Sequence, residues 1–353
     1  MIYIFDLLGI HCGMHYYDLA FSELLKDYGK ESIILSNFNV KGRAKIFFPL
    51  FFKGRKMKGF VGFAYSYLKF PLFLLSHRND KIVYLTFGEI YELPFLISLI
   101  LSKKAFVDVH EVHALRYKDN SIISKIFEWM YCSVIKNVIY HSDRTKSVLS
   151  RSKLKMLYVP HFKYIFKKEY NEAFLSDDVR MTFVKNTHNR YLFFGNLSIV
   201  KGVDIVVNVF NNIDNNEDYE LVIAGKNVEG LDFSSVRSGK VRVLDRHIND
   251  DELVYLYSRT DYVLLPYKKS SQSGIFAMSA YFRKPMILSD IPYFRQMIDE
   301  FPSFGIISSL EKYKDCVLGT MRKSNMHFFS KEDCDKFENK EVYETFVKEF
   351  DEV

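Results

Sequence analysis

Lys201 invites the most direct chemical reading. It lies in a run that opens with Gly195 and Asn196 and closes with Gly202, between an apolar stretch at 191–194 and a helical pattern at 202–212. A glycine just after a strand lets a ligand approach the main chain, and a cation beside the exposed amides of a helix start attracts phosphate. The plainer alternative is a solvated loop lysine. A second loop follows the apolar run 262–265: Tyr267, two lysines, Ser270, Ser271, Gln272, Ser273 and Gly274, after which an apolar helix begins. Small residues before a helix leave main-chain N–H groups able to grip an anion, and Ser271, Gln272 and Ser273 add side-chain donors and acceptors. A serine N-cap that serves only the helix is the alternative there. A third segment, 284–295, reads as a strand, a turn at Asp290 and a helix begun by Pro292.

The first half offers a loop bounded by Gly9 and Gly13, followed by His15 at the start of a helix, and a strand at 105–109 that ends at His110. Histidine titrates near neutrality and serves as acid, base or ligand, but a lone histidine is as readily structural. Asp108 and His113 are neighbours of His110, and His141 and His161 also follow strands.

These residues need elements to hold them. Strands are expected at 2–7, 32–35, 81–87, 105–109, 138–141 and 156–159, with helices at 15–26, 92–103, 124–137 and 143–152. In the first helix Leu19, Leu24 and Leu25 fall near one face, and Gly29 suits its end. The pattern turns charged and aperiodic over 162–189, then alternates again from 191 to 299. Strands separated by helix-length segments imply an α/β chain with parallel sheets, whose ligands gather at the strands' carboxyl ends. The expected organisation is a Rossmann-like domain at 1–165, a linker at 166–189, a second domain at 190–330 and a C-terminal helix at 331–353 that packs back on the first domain.

Composition sets the bounds. A chain of 353 residues suits two domains, and 33 Phe and 24 Tyr beside a single Trp supply a large interior. The four cysteines, Cys12, Cys132, Cys316 and Cys334, form no CxxC pair, which fits reduced thiols in a cytoplasmic protein. The opening residues lack the basic and long apolar regions of a signal peptide, and the most apolar runs, such as 93–101, fall far short of the ~20 residues of a membrane span. The net charge of +6 is modest, but residues 41–78 hold nine Lys or Arg and no Asp or Glu. Phe47, Phe48, Phe51, Phe52, Phe60, Phe63, Tyr65, Tyr67, Phe70 and Phe73 are interleaved with them. That mixture suits an anionic lipid surface; the competing readings are a helix pair with buried aromatics and solvated lysines, or a nucleic-acid contact, which is not expected.

Taken in order, the motifs between 191 and 298 resemble the retaining GT-B glycosyltransferases of the group 1 (family 4) class, of the kind that build polysaccharides. Gly195 to Gly202 looks like the family's glycine loop, 221–225 its next strand and turn, and 251–267 the approach to its donor loop. The resemblance implies a GT-B fold, two Rossmann-like domains facing each other across a cleft. It implies that Lys201 meets the donor diphosphate, that the amides near Ser273, Gly274 and Ile275 hold phosphate and sugar oxygens, and that Gly195, Asn196, Tyr267, Ser271 and Gln272 complete the donor site. Gly9, Gly13 and His15 would form the acceptor-side loop, and His110 would face the donor sugar. The family's pair of glutamates spaced eight apart falls on Ser270 and Met278, neither of them acidic.

The implied activity is metal-independent, retaining hexosyl transfer from a nucleoside diphosphate sugar, without a cofactor, to a glycan hydroxyl, with a lipid-linked acceptor expected at the inner face of the cell membrane. A sugar-nucleotide epimerase shares the architecture, and the missing glutamates leave room for a non-catalytic nucleotide-binding subunit of an assembly complex.

Overall fold

A computed structural model of the protein describes residues 1–11, 13–48, 56–114, 117, 121–150, 154–159, 166–184, 189–214, 216–236, 239–322, 328–338 and 340–353. His161, Cys12, Phe51 and Phe52 lie outside them. The chain divides into two units, Met1–Ile165 with Asn339–Val353, and Phe166–Glu338.

In the first unit, short runs of Ile, Val and Leu form strands separated by amphipathic helices. In order they are β1 (Ile2–Phe5), α1 (Met14–Asp27), β2 (Ser32–Ser36), β3 (Ala44–Ile46), α2 (Lys56–Ser76), β4 (Lys81–Thr86), α3 (Leu93–Ser98), β5 (Lys104–Val109), α4 (Ile122–Ser133), β6 (Asn137–Tyr140), α5 (Asp143–Leu149) and β7 (Lys155–Tyr158). The sheet runs β3-β2-β1-β4-β5-β6-β7, parallel throughout. The order reverses between β1 and β4, the place where open parallel sheets bind ligands at their carboxyl ends. One apolar cluster joins the sheet to α2, α3 and α4 through Phe70, Leu74, Phe95, Leu96, Phe127 and Met130.

The second unit repeats the plan with α6 (Asp177–Arg180), β8 (Arg190–Phe194), α7 (Val203–Asn211), β9 (Glu220–Gly225), β10 (Val241–Asp245), α8 (Asp250–Arg259), β11 (Tyr262–Leu265), α9 (Gly274–Tyr281), β12 (Met286–Ser289), α10 (Pro292–Glu300), β13 (Gly305–Ser308), α11 (Tyr313–Arg322) and α12 (Lys331–Phe337). Its parallel sheet runs β10-β9-β8-β11-β12-β13, reversing between β8 and β11.

Three expectations need correction. Residues 166–184 are not a free linker but part of the second unit, with Leu175, Val179 and Phe183 buried. Their charges are spent on specific partners: Arg246 bonds Asp178 at 2.8 Å and Glu252 at 2.8 Å, and the Asn171 N–H donates to Asp251 at 2.6 Å. Hydrogen bonding from Arg246 holds the Asp178 carboxyl down at about 2. Helix α12 stays with the second unit because Phe337 packs edge-on against Phe301 and Phe304, each 5.3 Å away. Only α13 (Lys340–Asp351) belongs to the first unit, where the Phe350 ring lies tilted against Phe106 at 4.5 Å and the Phe346 ring against Phe21 at 6.0 Å. Third, α1 buries Met14, Tyr17, Asp18, Phe21 and Leu25, a stripe at i, i+3, i+4 and i+7 that contains Leu25 alone of the three leucines expected to mark the face.

Candidate active site

The second unit gathers three loops at the reversal between β8 and β11. Gly195, at φ +115, ends β8 with its N–H on the Ala224 carbonyl, 3.0 Å away. Its own carbonyl leaves so little room that a Cβ on Gly225 would stand 1.8 Å from it. Gly202 (φ +75) is the N-cap of α7, and a Cβ there would meet the Pro266 carbonyl oxygen at 2.0 Å. The N–H of Lys268 donates to Val200 at 2.8 Å and closes the same contact from the other side. Only glycine allows these loops to touch at such backbone angles.

Lys201 is held between them. A methyl group on Gly195 would lie 3.4 Å from both Lys201 Nζ and the Ile275 side chain, so the ammonium stands beside the first turn of α9. It also lies 5.6 Å from the centre of the Tyr267 ring. Lys201 forms no ion pair with any described residue, whereas Lys268 nearby pairs with Asp204 at 2.8 Å.

Ser273 is the N-cap of α9: its hydroxyl accepts from the Phe276 N–H at 3.2 Å, and its carbonyl from the Ala277 N–H at 3.3 Å. The N–H groups of Gly274 and Ile275, at the first two helical positions, then have no partner among the described residues. A helix start with open amides and an ammonium beside it has the chemistry to hold an anion. The serine cap and the open amides are therefore one arrangement, and the Ser273 side chain is committed to the helix. Ser271 is buried, Gln272 and Asn196 are half-buried, and the Ser270 hydroxyl donates to the Gln272 carbonyl at 2.6 Å. Met278 is buried in the apolar interior.

At the carboxyl edge of the first sheet, Asp6 accepts from the N–H groups of Leu8 at 2.8 Å and Gly9 at 2.7 Å, fixing the glycine loop. Gly9 (φ +48) is packed so closely that a Cβ would lie 2.2 Å from Asn37 Oδ1, and Gly13 (φ +72) is the N-cap of α1. Asp18 bonds Asp6. Burial first, then the charge and hydrogen bond of Asp6, push the Asp18 carboxyl far above its ordinary range, so Asp18 keeps its proton and Asp6 accepts it.

Beside them Asp108 accepts from Tyr17 Oη at 2.6 Å and pairs with His141 Nε2 at 2.6 Å, while His141 Nδ1 lies 2.9 Å from the Val159 carbonyl oxygen. Burial alone would raise Asp108, but the neighbouring His141 and His110 and these hydrogen bonds hold it below the usual carboxylate range. His110 is 2 % exposed, stacked on Phe87 at 5.0 Å and edge-on to Tyr17 at 4.6 Å, with Nε2 3.7 Å from Asp108. Asp108, His110 and His141 offer ligand atoms within 4.8 Å of one another, a donor set of the type zinc takes, though Asp108 and His141 here bond each other. His15 stands apart, its ring 3.8 Å from Tyr16 and 5.9 Å from Phe38.

Residues 188–309 match the family model described as Glycosyl transferases group 1. The whole chain has the GT-B fold. It aligns with the structure of Anabaena Alr3699/HepE in complex with UDP-glucose at a TM-score of 0.71 and 10% identity, covering 100% of this chain and 99% of that one. WaaG, a glycosyltransferase involved in lipopolysaccharide biosynthesis, gives 0.68 and 12%, covering 99% of each chain. Sucrose-phosphate synthase from Thermosynechococcus elongatus gives 0.67 and 12%, covering 99% of this chain and 94% of that one. No curated protein sequence matches.

Of the residues expected from the sequence of this GT-B protein, Gly195, Lys201, Tyr267, Ser273, Gly274 and Ile275 come together. Asp6, Tyr17, Asp18 and Glu92 carry buried polar contacts that the sequence reading passed over. Asp18 had a visible signal, an acid inside the apolar stripe of α1, and Asp6 follows β1 directly.

Proposed function

We propose that the protein transfers a sugar from a nucleoside diphosphate sugar to a hydroxyl of a lipid-linked glycan in surface polysaccharide synthesis. The observation that carries the proposal is the Lys201 ammonium, unpaired among the described residues, beside the open N–H groups of Gly274 and Ile275. As the bond from the anomeric carbon to the diphosphate oxygen breaks, charge grows on the leaving diphosphate, and a fixed ammonium and oriented amides stabilise that charge more than the substrate's. The acceptor oxygen forms the new bond to the anomeric carbon, and its proton passes to the departing diphosphate. With front-face attack the configuration is retained, and neither a dedicated base nor a metal is required. His110 is proposed to act in the transfer as the resemblance implies, positioned by Phe87, Tyr17 and Asp108. The UDP-glucose of the HepE structure supports a uridine nucleotide as the first donor to try, and the part of WaaG in lipopolysaccharide biosynthesis supports a lipid-linked glycan as the first acceptor.

Replacing Lys201 by Ala tests this. Loss of one such donor costs ~2.7–4 kcal/mol, so kcat/KM for donor turnover should fall about 100- to 1,000-fold. Lys268→Ala, which breaks only an exposed ion pair with Asp204, should leave it nearly unchanged. Equal rates for wild type and Lys201→Ala would refute the role. Because Ser270 and Met278 replace the family's glutamates, a non-catalytic reading remains; tight nucleotide binding without transfer or donor hydrolysis would favour it.

A further inference from the structure

The three helices over one face of the first sheet turn an apolar surface outward. On α2, the side opposite buried Ser66, Phe70 and Leu74 presents Val61, Tyr65, Leu68, Leu72 and Leu75 at the three- and four-residue spacing of one helical stripe. Leu68 is 71 % exposed and Leu72 67 %, in a position where a helix that faces only water would carry charges. The pattern continues nearby, tied into the same core: Ile97 on α3 and Ile100 in the turn that follows it are exposed beside buried Leu96 and Leu99, and Ile122 and Trp129 on α4 lie opposite buried Phe127 and Met130. Apolar residues scattered singly need no explanation, but exposed apolar residues on three helices of one core form a patch that monomeric surfaces rarely carry.

The aromatics of residues 41–78 do not make this surface. Phe47, Phe48 and Phe70 are buried, and Phe63 and Phe73 pack against the core, so these five turn inward as the competing reading expected, though from the end of a strand and one helix and not from a helix pair. What α2 exposes is aliphatic, with Tyr65. The sole tryptophan of the chain, Trp129, is 59 % exposed on α4, outside the stretch that the sequence singled out.

The rim is cationic. Arg78, Lys103 and Lys136 are exposed where α2, α3 and α4 give way to the next strands, and the Lys103 N–H donates to the Arg78 carbonyl at 3.1 Å. Lys125 is exposed on α4, whereas half-buried Lys69 turns inward, its Nζ donating to the Phe47 carbonyl at 3.2 Å and lying 3.9 Å from the centre of the Phe47 ring. Neither α2 nor α3 contains an acidic residue, and α4 carries one exposed acid, Glu128, between Lys125 and Trp129. Two copies docked through this face would set lysines against lysines around an uncharged centre. An anionic bilayer instead accepts the aliphatic side chains below its headgroups, the indole and phenol at the interface, and the lysines among its phosphates.

We infer that the outward face of α2, α3 and α4 is a docking surface for an anionic lipid bilayer, with Leu68 and Leu72 as apolar anchors and Trp129 at the headgroup level. The inference gives a location to the membrane contact that the lipid-linked acceptor of the proposed function entails, and its test reads binding alone, so that its failure is distinct from failure of the transfer reaction.

Because Trp129 is the only tryptophan, the unmodified full-length chain reports its own docking. Phosphatidylcholine vesicles containing phosphatidylglycerol should shift its emission to the blue, shield it from iodide and expose it to brominated lipid tails. Pure phosphatidylcholine should do so weakly, and added salt should weaken the anionic case. Leu68→Glu with Leu72→Glu should lower the vesicle partition coefficient about a hundredfold or more, from the loss of two buried leucines, and leave circular dichroism unchanged. A double Lys103→Ala and Lys136→Ala variant, away from the apolar stripe, should lose only the anionic preference. An unchanged Trp129 emission with anionic vesicles would overturn the inference, as would undiminished partition of the Leu68→Glu, Leu72→Glu variant. A blue shift that depends on protein concentration without vesicles would overturn it in favour of a second copy of the chain.

Discussion

Replacing Glu92 by Gln should remove a pH dependence that the first unit builds into the loop beneath His110. Glu92 is 1 % exposed, and its Oε2 accepts from the N–H of Glu89 at 2.8 Å, the N–H of Phe87 at 3.1 Å and the Thr86 hydroxyl at 3.3 Å. Burial dominates these bonds and raises the carboxyl from 4.5 to about 8. The folded chain therefore binds more protons than the unfolded chain between those two values. The stability linked to Glu92 is fully present below 4.5, falls as pH rises through the interval, and levels off above about 8. At ~1.36 kcal/mol for each pH unit of separation, the whole change is ~5 kcal/mol as an upper limit. Glutamine keeps an acceptor oxygen for the two N–H groups and has no charge to bury. Hydrogen exchange in peptides covering β4 and β5, compared between wild type and Glu92→Gln, reads the first unit separately and cancels contributions common to both proteins. The variant's advantage should grow by several kcal/mol between about pH 5 and about pH 9. A constant difference across that range would refute the reasoning, and would mean that the three donors already offset the cost of the buried charge.

Gly202→Ala drives a methyl group to 2.0 Å from the Pro266 carbonyl at φ +75, so it should cost more than ~1 kcal/mol in thermal stability and weaken nucleoside diphosphate binding. Gly29→Ala, at φ +71 with nothing within 4 Å, is the strain-only control and should leave nucleotide affinity alone; matching affinities for both variants would contradict the loop contact. Phe350→Ala removes a ring that lies against Phe106 at 4.5 Å and sits 4.7 Å from Lys81 Nζ, for ~3–5 kcal/mol of local stability. Limited proteolysis should then cut within α13 in preference to other sites, and resistance equal to wild type would contradict its docking.

The donor-side site was legible because its chemistry is local. A strand, a glycine, a lysine and a helix start stand together at 190–203, and the serine loop meets α9 without interruption. What the sequence could not show was how Gly202 meets Pro266, since the contact joins loops 64 residues apart. The polar set under His110 was harder still. Tyr17, Asp108 and His141 come from α1, β5 and the end of β6, separated by 91 and 124 residues in the two bonds that join them to Tyr17. Residues 166–184 looked like a linker because they are charged, and charge reads as solvated until its partner is known; Arg246 and Asp251 lie some 70 to 80 residues on. The stretch 41–78 misled in the other direction, because aromatic density does not say which face of a helix is buried. Phe47, Phe48 and Phe70 went inward, and Leu68, Leu72 and Leu75 outward.

The central claim is that the start of α9 and Lys201 together hold a diphosphate. A crystal structure of the protein with UDP tests it directly. The account predicts diphosphate oxygens within hydrogen-bond distance of Lys201 Nζ and of the Gly274 and Ile275 nitrogens. A diphosphate bound elsewhere, with Lys201 turned away from it, would contradict the account.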